Sequence, residues 1–230
     1  MLDAFLLGLV AQSSLLLAGV LACKVTVPRK VVGALAGFGA GAMLAAISFD
    51  LVAEAEALEA WEFACWMLVG VAIFLVGDRF VEKRFGDEGT GGAMGIVVGS
   101  VVDGVPESVI FGIQLATGLP VSASFLAAVL VSNVPQALAP SAELSKAGWS
   151  VRRVGRLWFL VVLACGVAAA LGYLGADLSS SVTGDRMAAL AAGGLLAMLT
   201  NSLIPFAYER AGEIAGVATV VGFCLALAGS

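Results

Sequence analysis

Two carboxylates stand inside a long apolar run, within the segment 99–108. Asp103 and Glu107 are four residues apart, so on a helix both side chains project from one face, one turn apart. A charged side chain at the centre of a membrane helix costs about 3 kcal/mol and marks a ligand site or a pathway far more often than a packing contact. The pair therefore favours a cation or protons as its partner inside the apolar run.

A second polar segment follows at 132–136, with Ser132, Asn133 and Gln136. Each segment contains a proline, Pro106 in the first and Pro135 in the second, and a helix proline frees the carbonyl of the preceding turn. At membrane depth such carbonyls are tolerated only where they face protein, water or an ion. The two segments therefore predict two polar helix faces that meet near mid-membrane.

These donors predict an all-oxygen cation site. Hard and borderline divalent cations accept oxygen ligands, whereas softer ones prefer Cys or His, and the chain has no histidine. The predicted ligands are Asp103, Glu107, Asn133 and Gln136. The alternative is that these side chains bond neighbouring helices and serve packing alone. Two like charges one turn apart, with no Lys or Arg at matching depth, favour the cation.

The amino-acid composition indicates a membrane protein. Of 230 residues, 60% are hydrophobic and 13% charged, which is more apolar surface than a soluble domain of this length could hide. Several runs reach about 20 residues, the length that crosses ~30 Å of hydrocarbon. We predict a single all-α membrane domain over 1–230, its first apolar run being a retained helix rather than a signal peptide. Its eight transmembrane helices are predicted at 4–22, 31–53, 63–81, 94–116, 120–143, 155–176, 187–207 and 213–229.

The basic residues predict the orientation. Eleven of the twelve Lys and Arg residues fall in or beside the loops that follow helices 1, 3, 5 and 7, and only Arg186 falls on the opposite side. Because cytoplasmic loops carry an excess of Lys and Arg, these four loops are predicted to be cytoplasmic and both termini outside. A multi-pass protein of a cell membrane, in lipid, is expected, and a bacterial inner membrane is favoured.

Several functional classes are disfavoured. The four cysteines occur singly without a Cys-x-x-Cys pair, so neither a disulfide framework nor a thiolate zinc site is indicated. The absence of histidine excludes His-based catalysis, and no Gly-x-Ser-x-Gly motif is present. We therefore expect that the chain is not an enzyme, and we predict no nucleic-acid partner.

Helix 2 carries two further features. Gly33, Gly37 and Gly41 recur every fourth residue, which allows close helix approach, either inside the chain or in a homodimer. Asp50 and Glu54 lie near its predicted outer end, before an acidic loop. This region is either an exposed acidic surface or a mouth that concentrates cations.

Helix 7 shares a pattern with helix 2. The alignment pairs Gly41 with Gly193, Ser48 with Thr200 and Asp50 with Ser202. Since the two helices are predicted to run in opposite directions, the pattern indicates an inverted repeat of helices 1–3 and 6–8 around helices 4 and 5. The predicted pathway residues beside the metal ligands are Asp50, Ser132 and Ser202.

With these motifs the chain resembles the ZIP (Zrt/Irt-like) family of metal transporters over nearly its whole length. Family helix 4 typically reads His-Asn-x-Pro-Glu-Gly, and this chain reads Asp-Gly-Val-Pro-Glu-Ser at 103–108. Family helix 5 reads His or Gln, then Asn or Asp, then x-Pro-Glu-Gly, and the chain reads Ser-Asn-Val-Pro-Gln-Ala at 132–137. Helix 2 at 37–44 is similar to the family, and helix 7 at 201–205 is similar to a family Asp-Glu-Leu-x-Pro.

The resemblance implies eight helices, both termini outside and a metal site between helices 4 and 5. Asp103 replaces the helix 4 histidine, Gln136 replaces a glutamate, and Ser202 replaces another. A single site rather than a metal pair is thus implied. Zinc is the substrate that the family implies, and the oxygen donors would also admit manganese, iron or magnesium.

The expected function is transport of a divalent metal cation through a mid-membrane site between helices 4 and 5. Two alternatives stay open at this point. One is a transport-inactive partner or regulatory subunit, in which the polar residues serve helix packing. The other is a proton-coupled transporter of a non-metal solute, with Glu107 as the proton site.

Overall fold

The computed structural model describes residues 1–85, 93–118, 121–178 and 184–229. Within these ranges the chain forms eight helices and no strand. Each predicted segment overlaps one of them, although the predicted start of helix 5 at residue 120 lies outside the described residues. The helices are α1 (Leu2–Ala22), α2 (Arg29–Glu54), α3 (Ala60–Phe85), α4 (Ala93–Thr117), α5 (Ala123–Lys146), α6 (Val151–Leu178), α7 (Gly184–Ala211) and α8 (Glu213–Gly229).

Six of these helices are long and apolar enough to cross a membrane, namely α1, α2, α3, α5, α6 and α7, and α8 is a shorter apolar helix. The surface carries large apolar side chains that a soluble protein would bury. On α3, Trp61 and Leu68 are each 66% exposed, and Val76 and Phe80 are each 67% exposed. The chain is therefore an all-α, multi-pass membrane protein.

Glycines bring several helix pairs into backbone contact, among them α2 with α8, α3 with α7 and α4 with α6. A Cβ atom added to Gly41 of α2 would overlap the carbonyl of Thr219 on α8, and one added to Gly193 of α7 would overlap the carbonyl of Met67 on α3. Small residues permit this closeness where lipid supplies no hydrophobic drive between helices. The glycine face predicted on helix 2 thus packs inside the chain, and a homodimer stays a prediction.

Two of the helices contain a π turn, at Ile47–Leu51 in α2 and at Leu199–Leu203 in α7. A π turn holds one residue more than an α turn and often lies at a functional site. Ile47 and Leu199, where the turns begin, are as far apart in the chain as Gly41 and Gly193. The two π turns therefore lie at matching positions of α2 and α7, the helices whose sequences share a pattern.

Helices α4 and α5 lie at the centre and pack against one another and against α1, α2, α6 and α7. The rings of Phe111 on α4 and Phe125 on α5 are 4.9 Å apart between centroids. Helix α5 begins where Ser122 Oγ accepts from the backbone N–H of Phe125 at 3.1 Å, a side-chain N-cap. The rest of the bundle thus holds α4 and α5, which carry the predicted ligands.

Candidate cation site between α4 and α5

Both carboxylates of α4 face the bundle interior. Asp103 is 4% exposed and Glu107 is fully buried. The other polar residues of the predicted stripe, Ser100 and Gln114, are buried as well. Four polar residues on one buried helix face are costly unless each finds a partner. Asp103 and Glu107 find their hydrogen-bond partners on α7 and α1, respectively.

Glu107 is bound by a residue that the sequence did not single out, Gln12 of α1. Gln12 Nε2 donates to Glu107 Oε2 at 3.0 Å and lies 3.4 Å from the carbonyl oxygen of Gly104. Glu107 Oε1 is buried and accepts no hydrogen bond. One oxygen of the Glu107 carboxylate is therefore held by a hydrogen bond, and the other oxygen lacks a donor.

Gln12 also bonds Asn133 of α5. Asn133 Nδ2 donates to Gln12 Oε1 at 2.8 Å and lies 3.4 Å from the Ala11 carbonyl oxygen. A single fully buried amide on α1 thus joins α4 to α5. The sequence signal that could have identified it is the single amide of α1, which begins the polar triplet 12–14, since polar residues in membrane helices commonly bond across to a neighbouring helix.

Gln136 follows Asn133 by three residues and so lies on the same face of α5. Its side chain is 5% exposed, and both amide atoms are buried without a hydrogen-bond partner. Ser132 differs, because its hydroxyl donates to the Val129 carbonyl of its own helix at 3.0 Å. The predicted amide ligands Asn133 and Gln136 are therefore buried, whereas the Ser132 hydroxyl donates to a carbonyl of its own helix.

Asp103 is bound from α7. Ser202 Oγ, within the π turn, donates to Asp103 Oδ2 at 2.7 Å. Thr200 and Asn201 beside it are exposed, and Thr200 bonds the Leu196 carbonyl of its own helix at 3.0 Å. Of the three consecutive polar residues on α7, Ser202 alone reaches the central carboxylates.

Asp50 is placed apart from the central group. Its Oδ2 accepts from Ser122 Oγ at 2.6 Å and from Ser124 Oγ at 2.8 Å, at the beginning of α5. The two serines were not singled out from the sequence. The predicted pathway residues therefore divide between the centre of the bundle, where Ser202 lies, and the end where α5 begins.

Basic side chains do not neutralise the central carboxylates in the part of the chain that the structure describes. The ion pairs there lie elsewhere. Arg186 of α7 bonds Glu62 of α3 at 2.7 Å, and Arg29 of α2 bonds Glu209 of α7 at 2.8 Å. Because Asp103 and Glu107 are removed from water, a mobile cation or a proton has to balance them.

The polar side chains at the centre of the bundle include two carboxylates and two amides, all of them buried. Over the described ranges, no group of three or more Cys, His, Asp or Glu side chains is placed to hold a metal ion. Any metal held at the centre would therefore take two carboxylates, Asp103 and Glu107, together with neutral amide oxygens. Such a set resembles the oxygen coordination of hard cations rather than a thiolate or imidazole site.

A cavity of about 490 Å³ lies where α5 ends. It begins at Leu138 and Ala139, in the turn that follows Gln136, and extends to mixed charges that include Glu143, Lys146 and Arg210. The basic loops place this end in the cytoplasm in the predicted orientation. The cavity thus begins within one turn of Gln136 along α5, although neither Gln136 nor Asn133 lines it.

Comparison with known proteins assigns no family to the chain. Neither a protein-family model nor a curated protein sequence matches it. The likeness to ZIP transporters therefore stays a prediction based on the motifs of helices 2, 4, 5 and 7.

Proposed function

We propose that the chain is a ZIP-like membrane transporter, not an enzyme, that moves a divalent metal cation through a site between α4 and α5. The single observation that carries this proposal is the buried, unpartnered oxygen Glu107 Oε1. A desolvated carboxylate oxygen without a donor is costly. A cation supplies the missing interaction, and no basic side chain among the described residues does so.

Each residue has a separate role in this proposal. Asp103 and Glu107 supply two negative charges, which together balance one divalent cation. Asn133 and Gln136 supply neutral amide oxygens, and Ser202 holds Asp103 in place. Because the donors are all oxygen, we expect the substrates to include manganese, iron(II) or magnesium alongside zinc.

We further propose that eight spans form an inverted repeat, with both termini outside. The matching π turns in α2 and α7 support this, as do two pairs of glycine crossings. The crossing of Gly41 with Thr219 corresponds to that of Gly193 with Met67, and the crossing of Gly222 with Phe38 corresponds to that of Gly70 with Leu190. In inverted-repeat transporters one part moves against the other around a fixed site. Here α4 and α5 would move against the flanking helices, with α6 following α4, because Gly112 and Gly172 bring these two helices into backbone contact.

The test is uptake of manganese, zinc and magnesium ions by proteoliposomes that contain the parent protein or Glu107→Gln. We expect the variant to lose at least about tenfold in initial rate, which corresponds to about 1.4 kcal/mol. Glu213→Gln is the matched control, since it makes the same chemical change at an exposed position. Equal uptake by the parent and Glu107→Gln would remove Glu107 from the mechanism.

A transport-inactive partner or regulatory subunit is the second candidate, and the contacts of Gln12 favour it. Gln12 already bonds one oxygen of Glu107 and the amide of Asn133, as a purely structural cross-link would. Crystals soaked with Mn²⁺ distinguish the two candidates. Anomalous density beside Glu107 supports the transporter, and its absence, together with unchanged folding of Glu107→Gln, supports the structural role.

A further inference from the structure

An apolar cavity of about 310 Å³ lies between α3, α4 and α7. Among the described residues that line it, every one is Gly, Ala, Val, Leu, Ile, Phe or Pro, and none carries a polar side chain. Water does not stay in such a space, because a bound water needs about two to four polar partners. The volume is at the lower end of the range of ligand pockets, ~300–1,000 Å³. The cavity therefore suits an apolar occupant and is separate from the cation site.

The cavity opens on the side of α3 that faces lipid. Gly77 and Ile73 line it. Gly77 is exposed and Ile73 is 58% exposed. Both lie in the apolar span Ala60–Phe80, so the surrounding medium at this depth is hydrocarbon. A Cβ atom added to Gly77 would meet nothing within 4 Å, so the described chain leaves the opening free. In a membrane, the apolar group that reaches this opening is the acyl chain of a lipid.

The helices around the cavity belong to two closely packed pairs. Helices α3 and α7 meet at the backbone, where Gly70 touches Leu190, and α4 meets α6 in the same way, where Gly112 touches Ala169. Gly70 and Leu190 line one wall of the cavity, and α4 forms the other wall with residues that include Pro106. The cavity thus lies on the boundary between the α3–α7 pair and α4.

A hydrogen bond crosses the same boundary beside the cation ligands. Ser202 Oγ of α7 donates to Asp103 Oδ2 of α4 at 2.7 Å. Val101 and Val105, which lie two residues before and after Asp103, both line the cavity. An occupant therefore contacts α4 on either side of Asp103 and contacts α7 as well. It opposes a shift of α4 along the α3–α7 pair, because a filled cavity leaves no space into which side chains can repack.

We propose that this cavity binds one acyl chain of a membrane lipid, and that the bound chain holds α4 in its present position against α3 and α7. Binding of the chain does not depend on transport. The effect on α4 rests on the proposed function, because a chain that restrains α4 slows the movement that carries the cation.

The experiment locates the chain in crystals grown with a phospholipid whose acyl chains are dibrominated, by the anomalous scattering of bromine. We expect bromine density in the cavity of the parent protein. Gly77→Leu should remove it, because the position has space for a Cβ atom and the longer side chain fills the opening. Gly216→Leu is the matched control and should keep the bromine density. Gly216 is also exposed with nothing within 4 Å of an added Cβ, but it lies on α8, outside the cavity lining.

A measurement in detergent solution supports the location. Because a ligand that binds the folded state stabilises it, added phospholipid should raise the unfolding temperature of the parent and of Gly216→Leu by several degrees. The increase should be smaller for Gly77→Leu. The proposal is overturned by a parent cavity without bromine, by one that a side chain of a second copy fills, or by equal bromine density in Gly77→Leu.

Uptake by proteoliposomes tests the effect on α4. A lipid chain leaves and returns, whereas the Leu side chain of Gly77→Leu stays in place. This variant should therefore lower the maximal rate several-fold and leave the half-saturating concentration unchanged, since Asp103 and Glu107 are intact. Gly216→Leu should match the parent. An unchanged maximal rate in Gly77→Leu contradicts the restraint of α4. If the parent takes up no cation, the proposed transport function fails, and the bromine density still decides whether the lipid site exists.

Discussion

Gln12 donates to Glu107 Oε2 at 3.0 Å, while its own oxygen accepts from Asn133 at 2.8 Å. Helix α1 therefore contacts both central helices through one amide that is completely buried. The two bonds fix which end of the amide faces each helix, since the nitrogen can only donate and the oxygen can only accept. The spacing of Glu107 and Asn133 accordingly depends on a residue outside the predicted ligand set.

The first prediction concerns this amide. In Gln12→Leu, Glu107 loses its donor and Asn133 Nδ2 keeps only the Ala11 carbonyl oxygen at 3.4 Å, so one buried polar group is left unsatisfied and a second is bonded weakly. We expect a loss of about 1–3 kcal/mol in the free energy of unfolding for the unsatisfied group, measured by denaturation in mixed micelles. Cation uptake should fall together with stability.

Ser14→Ala serves as the control on the same helix. Ser14 Oγ is buried without a hydrogen-bond partner, so its removal leaves no other group unsatisfied and should be close to neutral. Equal stability of Gln12→Leu and the parent would show that the two amide bonds contribute nothing, and would leave Glu107 without a positioning residue.

The second prediction concerns the link between α4 and α7. Ser202 Oγ and Asp103 Oδ2 are 2.7 Å apart, so a double-mutant cycle of Ser202→Ala and Asp103→Asn should give a coupling free energy of about 0.5–3 kcal/mol. Unfolding in micelles measures the coupling. The corresponding cycle with Thr200→Ala should give a coupling near zero, because the Thr200 hydroxyl is bonded within its own helix. Equal coupling in both cycles contradicts the contact.

The third prediction compares two glycines that meet different surroundings. In Gly41→Ala the new methyl group would overlap the Thr219 backbone, whereas Gly216 has nothing within 4 Å of an added Cβ. Gly41→Ala should destabilise the fold by about 1–3 kcal/mol through overpacking. Gly216→Ala should stabilise its helix by about 0.5–1 kcal/mol. Thermal unfolding of the two variants checks the opposite signs, and a tolerated Gly41→Ala would show that α2 and α8 are less closely packed.

The helices and the buried face of α4 were predictable because their signals are local. Apolar length identifies a span, and the spacing of Asp103 and Glu107 places both on one side of a helix. Gln12 was not predictable in this way. A solitary amide in α1 gives no indication of which helix it will meet, since its partners on α4 and α5 are remote in sequence and depend on tertiary packing.

The polar residues of α7 illustrate a second limit. Thr200, Asn201 and Ser202 are consecutive polar residues, yet of these three it is Ser202 that bonds Asp103 in the described part of the chain. The π turn Leu199–Leu203 inserts a residue into the helix period, so the face assigned from 3.6-residue spacing changes within the turn. Ser122 and Ser124 were missed for a related reason, because their link to Asp50 follows from where the start of α5 meets α2.

The glycine crossings have a mechanical consequence. Where Gly41 touches the main chain of Thr219, and Gly193 that of Met67, neither water nor an acyl chain can enter between the partners. Each pair moves as one unit, because sliding one helix along the other would force main-chain atoms to overlap. Any large displacement of the protein must then occur between helices that are packed less closely, with α2 moving together with α8, α7 together with α3, and α4 together with α6, which meet in the same way at Gly112 and Gly172.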